Sequence, residues 1–303
     1  MTTTFENTST VSAFSNQLAD GVEHISQSLV LVNGRQRQPG SGIVFAQDLV
    51  LTADHVLERE EDITILTYDK RTLAAQFVGR DLSSDLAVLR VAGLNLPDAT
   101  LANQPARVGQ FVLSVGRPSE DGPMASVGIV SAVGGPLNLG RGLTLERYIR
   151  TDAIPYPGFS GGPLVDASGA VLGILTTGLV GGLSLIVPTS VAWRIGEALA
   201  QHGYIKRGFL GISSQPVVIP AAQRGGRSQE NGLLIMRVED GSPAQKSGLL
   251  VGDILLTFAG KALTTAEHLQ ALLSGDLVGK QVQAELLRGG NVQTVNVTVG
   301  QRN

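Results

Sequence analysis

Residues 157–164 read PGFSGGPL, and this stretch decides between the folds that the rest of the sequence allows. A serine hydroxyl becomes a nucleophile only when a base takes its proton and backbone N–H groups hold the developing oxyanion. The glycines around Ser160 allow the tight turn that would supply those N–H groups, although a bare GxSxG is more often a turn without chemistry. In α/β-hydrolases a helix follows this serine, and Gly161-Gly162-Pro163 would break such a helix. The stretch therefore favours a β-rich fold.

Short apolar runs separated by turn residues surround this stretch. They include LVLTADHV at 49–56, DLAVLRV at 85–91 and AVLGILTTG at 170–178. About a dozen such runs follow Ser26, a pattern typical of an antiparallel sandwich or barrel. An uncharged stretch at 170–188 has the length of a membrane span, but its glycines favour buried strands. The residues after it, Ser190–His202, predict an amphipathic helix that Ser190 caps and Gly203 ends.

Length and composition bound the architecture and exclude several classes of function. The chain has 303 residues, of which 43% are hydrophobic and 16% charged, enough for two folded domains and unlike a disordered chain. Its net charge of −3 offers no basic excess for binding nucleic acid. Cysteine is absent, which excludes a disulfide framework and thiolate chemistry. The sequence contains no recognisable metal-ligand motif or phosphate-binding loop, so we expect no cofactor and no metal.

Changes of composition divide the chain into three parts. Residues 1–25 are an N-terminal segment, with a disordered tail over 1–13 and a weak helix over 14–25. Residues 26–203 hold the strand-rich region, and 204–303 hold a second unit of strands and short helices. We therefore predict a mostly β protein in which a small α+β domain follows the β-rich domain.

The base that a Ser160 nucleophile needs is best sought among the four histidines. Three of them lie in predicted helices or in the second unit: His24, His202 and His268. Only His55 ends an apolar run within the β-rich region. A lone histidine is usually structural, but the downstream serine motif favours a catalytic role for this one.

A carboxylate is needed to orient the imidazole and to stabilise the imidazolium. Asp85 opens an apolar run directly from a loop and is the preferred candidate, with Asp54 and Asp81 as alternatives. Asp54 neighbours His55, and adjacent side chains of a strand point to opposite faces. Asp81 is more simply explained as a solvated turn residue. The resulting order of histidine, aspartate and serine is that of chymotrypsin-like proteases and not that of α/β-hydrolases.

Together these motifs resemble the HtrA/Deg family of trypsin-like serine proteases with a C-terminal PDZ domain. The matching segments run from about Ser26 to Val299, and they include GSGIVF (40–45), LTADHV (51–56), SDLAVLRV (84–91), YIRTDAIPYPGFSGGPLV (148–165), RGFLGI (207–212) and GSPAQKSGLLVGDILLTFAGK (241–261). The resemblance implies a chymotrypsin-like double β-barrel over 26–203, with the active site in the cleft between the barrels. It implies a PDZ domain over 204–303.

The resemblance also implies residues of the protease site beyond His55, Asp85 and Ser160. The N–H groups of Gly158 and Ser160 would form the oxyanion hole. A loop over Thr176–Leu185 would border the pocket that receives the side chain before the cleaved bond.

In the PDZ domain, the backbone of Phe209-Leu210-Gly211-Ile212 would capture a peptide C-terminal carboxylate. Leu210 and Ile212 would present apolar side chains to the peptide, unless they pack the core of the domain. A helix over 265–274 would supply the other wall of the groove. The candidate residues on that wall are His268, Leu269 and Leu272.

By this resemblance the chain is a serine endopeptidase that cleaves unfolded or misfolded proteins, with a PDZ domain that binds peptide C-termini. The expected partners are unfolded polypeptides, peptide C-termini and further copies of the chain in a trimer, but not nucleic acid. Phe159 stands where the family usually has asparagine. That departure favours the alternative of a proteolytically silent, chaperone-like binding protein.

The N-terminal residues lead to an expectation about cell compartment. The first residues, MTTTFENTSTVSAFSNQLADG, have neither the basic region nor the apolar core of a secretory leader. We therefore expect a cytoplasmic protein. The alternative is a periplasmic or membrane-associated protein whose chain has been trimmed.

Overall fold

Strand-rich segments form two closed β-barrels and one open sheet in this computed structural model of the chain. The structure describes residues 10–36, 38–140, 143–180, 183–205, 207–224, 227–273 and 277–302. The chain divides into two units, residues 1–205 with both barrels and residues 206–303 with the open sheet. The predicted fold class, mostly β with a chymotrypsin-like double barrel and then a small α+β domain, is confirmed.

The first barrel closes in the order β1-β2-β3-β6-β5-β4. Its strands are β1 Leu29–Asn33, β2 Gly40–Ala46, β3 Leu49–Ala53, β4 Ile63–Leu66, β5 Thr72–Asp81 and β6 Leu86–Arg90. Aliphatic side chains from neighbouring strands, among them Val30, Val44 and Leu89, are completely buried inside it. Burial of such β-branched and leucine side chains is what stabilises a small closed barrel.

The second barrel closes in the order β11-β14-β13-β12-β7-β8. Its strands are β7 Phe111–Ser119, β8 Gly122–Gly134, β11 Tyr148–Thr151, β12 Pro163–Val165, β13 Val171–Val180 and β14 Leu183–Pro188. Two further short strands, β9 Leu137–Gly140 and β10 Leu143–Leu145, pair with each other outside the barrel. Chain order thus runs through the first barrel before the second, so a site built from both requires contacts between distant segments.

Residues 171–180 and 183–188 of the uncharged stretch form strands, as the sequence predicted. Residues of β13 and β14 pair antiparallel from Gly173 opposite Pro188 to Val180 opposite Leu183. Within the described parts of the chain, every helix is too short or too polar to cross a membrane.

The N-terminal helix, α1, covers Thr10–Ser26 and so begins earlier than expected. The predicted disorder is wrong for residues 10–13, while residues 1–9 lie outside the described part of the chain. Ile25 is 1% exposed because the apolar stripe of α1 packs on the barrels of the same unit. Gly21 allows the close approach, since a Cβ atom there would lie 3.0 Å from the Ala167 carbonyl oxygen.

The helix after the second barrel, α2, covers Thr189–His202. Pro188 occupies the N-cap position, so the expectation that Ser190 caps this helix is wrong. Gly203 ends the helix in the left-handed conformation with φ of 76°, a position that favours glycine. The apolar face of α2 is buried through Val191, Ile195 and Leu199.

The second unit consists of a sheet in the order β16-β17-β18-β20-β21, with β19 beside β18 and a separate β15-β22 pair. Its strands are β15 Arg207–Phe209, β16 Ile212–Val218, β17 Asn231–Val238, β18 Ile254–Phe258, β19 Lys261–Ala262, β20 Gln281–Arg288, β21 Asn291–Thr298 and β22 Gly300–Arg302. Its helices are α3 Pro243–Lys246 and α4 Ala266–Leu272. Strand β16 lies at an edge of the sheet, so one row of its backbone groups has no strand partner in that sheet.

The contact between α1 and the 166–170 turn can be tested by one substitution with a matched control. Gly169 has φ of 83°, and an added Cβ atom would overlap the Gly21 carbonyl oxygen. Gly93 has φ of 70°, and an added Cβ atom would meet nothing within 4 Å. Both alanine substitutions carry the left-handed backbone cost of about 1–2 kcal/mol, but only Gly169→Ala also loses the helix contact, at about 1–3 kcal/mol.

We therefore expect Gly169→Ala to lower the free energy of unfolding by at least about 1 kcal/mol more than Gly93→Ala. The measurement is urea denaturation of the two variants beside the parent chain. Equal losses for the two variants would contradict the contact between α1 and the turn.

Candidate active site

His55 and Asp85 are brought together by the pairing of β3 with β6. The register places Ala53 opposite Leu86 at the end of the ladder. The residues just beyond that pair, in the turn Asp54–Val56 and in the turn before β6, therefore meet across it. The two segments are 30 positions apart in the chain, and antiparallel pairing is what removes that separation.

The Asp85 carboxylate holds the imidazole of His55 through one of its two oxygen atoms. Asp85 Oδ2 lies 2.6 Å from His55 Nδ1 and also accepts a hydrogen bond from the Thr176 hydroxyl. Asp85 Oδ1 accepts a hydrogen bond of 2.9 Å from the His55 backbone N–H. Asp85 is 6% exposed, so water competes little for these acceptors. A proton on Nδ1 satisfies this geometry and leaves Nε2 as the basic nitrogen.

The two alternative aspartates have other partners. Asp54 forms an ion pair with Arg80, with 3.2 Å between Oδ1 and Nη1. Burial raises the pKa of Asp54, and the Arg80 cation opposes that rise. Asp81 accepts hydrogen bonds from the Ser83 and Ser84 hydroxyls and is only 5% exposed. The expectation that Asp81 is a solvated turn residue is therefore wrong, because it stabilises a buried turn.

Ser160 lies in the turn that leads into β12. Its Oγ atom lies 3.1 Å from the hydroxyl oxygen of Thr177 on β13. Within the described residues, no hydrogen bond joins Ser160 to His55. Catalytic hydrogen bonds are often long or misaligned without substrate and form fully only in the complex.

Glycine at position 178 makes room for the histidine–aspartate pair. A Cβ atom at Gly178 would lie 2.6 Å from both His55 Nδ1 and Asp85 Oδ2. Three successive residues of β13 thus contact the site: Thr176 contacts Asp85, Thr177 contacts Ser160, and Gly178 lies against His55. From the sequence, these residues were expected only as part of a loop at the specificity pocket. The expected loop over Thr176–Leu185 is instead the paired ends of β13 and β14, with residues 181–182 outside the described part of the chain.

The expected oxyanion hole consists of two amide N–H groups of this turn, those of Gly158 and Ser160. Neither Gly158 N nor Ser160 N has a hydrogen-bond partner within the described residues. Gly158 adopts φ of 90°, a conformation that favours glycine. The preceding carbonyl of Pro157 is held by the Gln38 side-chain amide at 3.0 Å.

Ser41 on β2 holds the backbone of this turn, a role that sequence analysis missed. Its buried hydroxyl donates to the Gly158 carbonyl at 2.7 Å and accepts from the Arg117 N–H at 2.8 Å. Its own N–H donates to the Ser160 carbonyl at 2.9 Å. The only sequence signal was its place in the motif GSGIVF. The Gly158 carbonyl shares its peptide plane with the Phe159 N–H, and the Ser160 carbonyl shares its plane with the Gly161 N–H. These bonds therefore hold the peptides on either side of the Ser160 N–H.

Phe159 lies between the two free N–H groups and faces the core of the second barrel. Its side chain is completely buried beside Ile149, Leu164 and other apolar residues of that barrel. Its ring packs edge-on against Tyr156, with 5.5 Å between ring centroids, and its N–H donates to the Tyr156 carbonyl at 3.0 Å. The turn is thus anchored by apolar packing at the position where a family asparagine would supply hydrogen bonds.

The predicted PDZ groove residues divide between the core and the surface of the second unit. Leu210 and Leu269 are 2% and 5% exposed and belong to the core. Leu210 thus follows the alternative of packing the core, and Leu269 does not present its side chain on the surface as expected. Phe209, Ile212 and Leu272 are partly buried, while His268 is exposed and lies 3.0 Å from the Thr264 hydroxyl. Gly211, with φ of 78°, connects β15 to the edge strand β16.

Comparison with known protein families identifies the two units. Residues 40–174 match the trypsin-like peptidase domain, and residues 208–299 match the PDZ domain. The chain is 35% identical over 280 residues to a protein of Ectopseudomonas mendocina named probable periplasmic serine endoprotease DegP-like, covering 88% of this chain and 58% of that protein. A protein of Halomonas elongata with the same name is 35% identical over 277 residues, covering 88% and 57%. The chain therefore spans less than two thirds of the length of these relatives.

Solved structures give matches over almost the whole chain. The HtrA-type protease AlgW with tripeptide is 30% identical, with a TM-score of 0.81 and coverage of 94% of this chain and 97% of that chain. A serine endoprotease from Yersinia pestis is 28% identical, with a TM-score of 0.78 and coverage of 94% and 98%.

The names of the relatives correct the expected cell compartment. Several of them are named periplasmic endoproteases, which contradicts the expectation of a cytoplasmic protein. That expectation rested on the lack of a leader-like segment. A mature exported protein carries no leader, so the composition of the first residues did not decide the compartment.

The similarity to AlgW covers nearly all of both chains and extends over the barrels and the PDZ domain alike. We conclude that this chain belongs to the HtrA family of trypsin-like serine proteases with a PDZ domain.

Proposed function

We propose that this chain is a serine endopeptidase in which Ser160 is the nucleophile, His55 the general base and Asp85 the residue that orients the base. The observation that carries the proposal is the hydrogen bond of 2.6 Å between His55 Nδ1 and Asp85 Oδ2, beside a glycine-rich turn with two free N–H groups. Substrate binding would bring the Ser160 hydroxyl from Thr177 to His55 Nε2.

The reaction proceeds by acyl transfer. His55 Nε2 takes the Ser160 proton as the hydroxyl oxygen attacks the peptide carbonyl carbon, and the imidazolium is stabilised by Asp85. The N–H groups of Gly158 and Ser160 donate to the developing oxyanion. His55 then gives the proton to the leaving amine, and water hydrolyses the acyl-enzyme by the same route.

The substrates that we propose are unfolded or misfolded polypeptides, with peptide C-termini bound by the second unit. The free edge of β16 can pair with an extended peptide, and the backbone at Gly211 begins that strand. Ile212 and Leu272, which are partly buried, would contact the last side chain of the peptide. We also infer a periplasmic location, on the names of the relatives.

Self-association, as a trimer, is part of the proposal. Large apolar side chains are exposed on the first unit: Val11 at 76%, Val108 at 66%, Phe111 at 52% and Val127 at 55%. Phe111 also packs edge-on against Phe14 of α1, with 5.3 Å between centroids. Exposed apolar surface around such a pair favours a protein interface where it is contiguous.

Ser160→Ala and His55→Ala are each expected to lower kcat/KM for an unfolded substrate by about 10⁴-fold or more, because the three residues act as a unit. Asp85→Asn removes the acceptor for the Nδ1 proton and is expected to cost about 10⁴-fold. Asp54→Asn is the matched control, since Asp54 pairs with Arg80 instead.

The measurement is digestion of casein, with fluorophosphonate labelling of Ser160 as a second readout. Near-normal digestion by Ser160→Ala would refute the proposal, and absent labelling of the parent chain would favour the silent binding protein.

Ser41→Ala tests the support of the oxyanion-binding turn. The substitution leaves the Gly158 carbonyl without its donor, so we expect a loss of about 10- to 100-fold in kcat with little change in KM. Ser114→Ala is the matched control, because Ser114 is also completely buried but its hydroxyl has no hydrogen-bond partner among the described residues. Equal kinetic effects of the two substitutions would show that Ser41 does not position the turn.

Capture of a carboxylate by the second unit is tested with peptides and the full-length Ser160→Ala chain. A peptide ending in valine with a free carboxylate is expected to bind at least about ten times more tightly than its C-terminal amide, since the amide cannot accept from converging N–H groups as an anion does. Fluorescence polarisation measures both affinities, and a peptide ending in aspartate controls for the apolar side chain. Equal affinity for the acid and the amide would refute carboxylate capture.

A further inference from the structure

A cavity of about 430 Å³ lies on the first unit, and no residue of the proposed triad lines it. It is bounded by α1, by the turn at Tyr68 and Lys70, and by the connection between β7 and β8. Its volume falls within the range of small-ligand sites, which begins at about 300 Å³.

A buried arginine, Arg117, contributes to the lining of this cavity. Arg117 is only 3% exposed, and its Nε atom has no hydrogen-bond partner among the described residues. Within the described residues, the guanidinium forms no ion pair. Burial lowers the pKa of Arg117, and the nearby charge of Asp69 opposes this. Asp69 itself is hydrogen-bonded to Thr67 and Arg71.

An unpaired buried guanidinium costs several kcal/mol unless an anion compensates it. Its planar N–H groups match a carboxylate, which can accept two parallel hydrogen bonds. Lys70, which is exposed, adds a second cation to the lining.

The charges of the other lining residues restrict which carboxylate-bearing ligands can bind. Glu23 and Glu120 are exposed at the cavity and form no ion pair within the described parts of the chain. Asp121 adds a third carboxylate. Three acidic groups repel a ligand with further negative charge and attract an ammonium group. Val22 and Pro123 add apolar surface to the lining.

We propose that this cavity binds a short peptide with two free termini, whose C-terminal carboxylate pairs with Arg117 and whose ammonium group faces Glu23 and Glu120. Such peptides are products of the proposed endopeptidase activity. The binding itself does not depend on that activity, and the test below uses a chain without the Ser160 hydroxyl.

The test uses the full chain with Ser160→Ala and triglycine as the probe. Triglycine has both termini but lacks the apolar C-terminal side chain that the proposed PDZ groove requires. Isothermal titration calorimetry is expected to show saturable binding at one site. Triglycine amide is expected to bind at least about tenfold more weakly, because it lacks the carboxylate.

Arg117→Met in the same background is expected to lose at least about tenfold in affinity for triglycine. The backbone N–H of Arg117, not its side chain, donates to Ser41, so the substitution leaves that bond in place. Arg107→Met is the matched control, because Arg107 is an exposed arginine of the same unit, and it is expected to leave the affinity unchanged. No saturable binding, or equal affinity in Arg117→Met, would overturn the proposal.

Thermal denaturation without ligand gives an independent readout. Replacing a buried charge that forms no ion pair within the described residues by an apolar side chain of similar length is expected to raise the Tm, whereas Arg107→Met is expected to leave it unchanged. A lower Tm for Arg117→Met would show that the cation is compensated within the chain, and it too would overturn the proposal.

Discussion

The arrangement of the proposed active site depends on the hydrogen bonds of one buried serine, Ser41. The histidine and the aspartate belong to the first barrel, whereas the serine and the turn around it belong to the second. Ser41 lies on β2 of the first barrel and bonds to the carbonyls of Gly158 and Ser160. Since the hydroxyl and the N–H of one residue make these bonds, the turn cannot shift relative to the first barrel without breaking them.

Strand β13 supplies the second constraint on the same site. Thr176 donates to Asp85, Thr177 lies within hydrogen-bond distance of Ser160, and Gly178 leaves space for the imidazole. A strand is a good support for such contacts because its successive residues have defined directions. The pair of His55 and Asp85 is therefore held from two sides, by its own barrel and by a strand of the other.

Apolar packing replaces polar contacts at Phe159. The ring occupies the core of the second barrel, and a Cβ atom at Gly116 would lie only 2.5 Å from it. Glycine at 116 and phenylalanine at 159 therefore fit each other. A family asparagine is not needed to hold the turn when a buried aromatic side chain anchors it, which weakens the case for a silent protein that rested on this residue.

The sequence by itself determined the fold class and the family, and it singled out the serine and the histidine of the proposed triad, because these depend on motifs and their order along the chain. The tertiary structure decided which aspartate lies against His55. Asp54, Asp81 and Asp85 carry the same side chain and differ only in the groups that surround them in the fold. It also decided the inward direction of Phe159 and Leu210, the role of Ser41, the strand character of residues 176–180 and the unpaired state of Arg117 within the described chain. Each of these depends on contacts between segments far apart in sequence, and local propensity carries no information about which distant groups become neighbours.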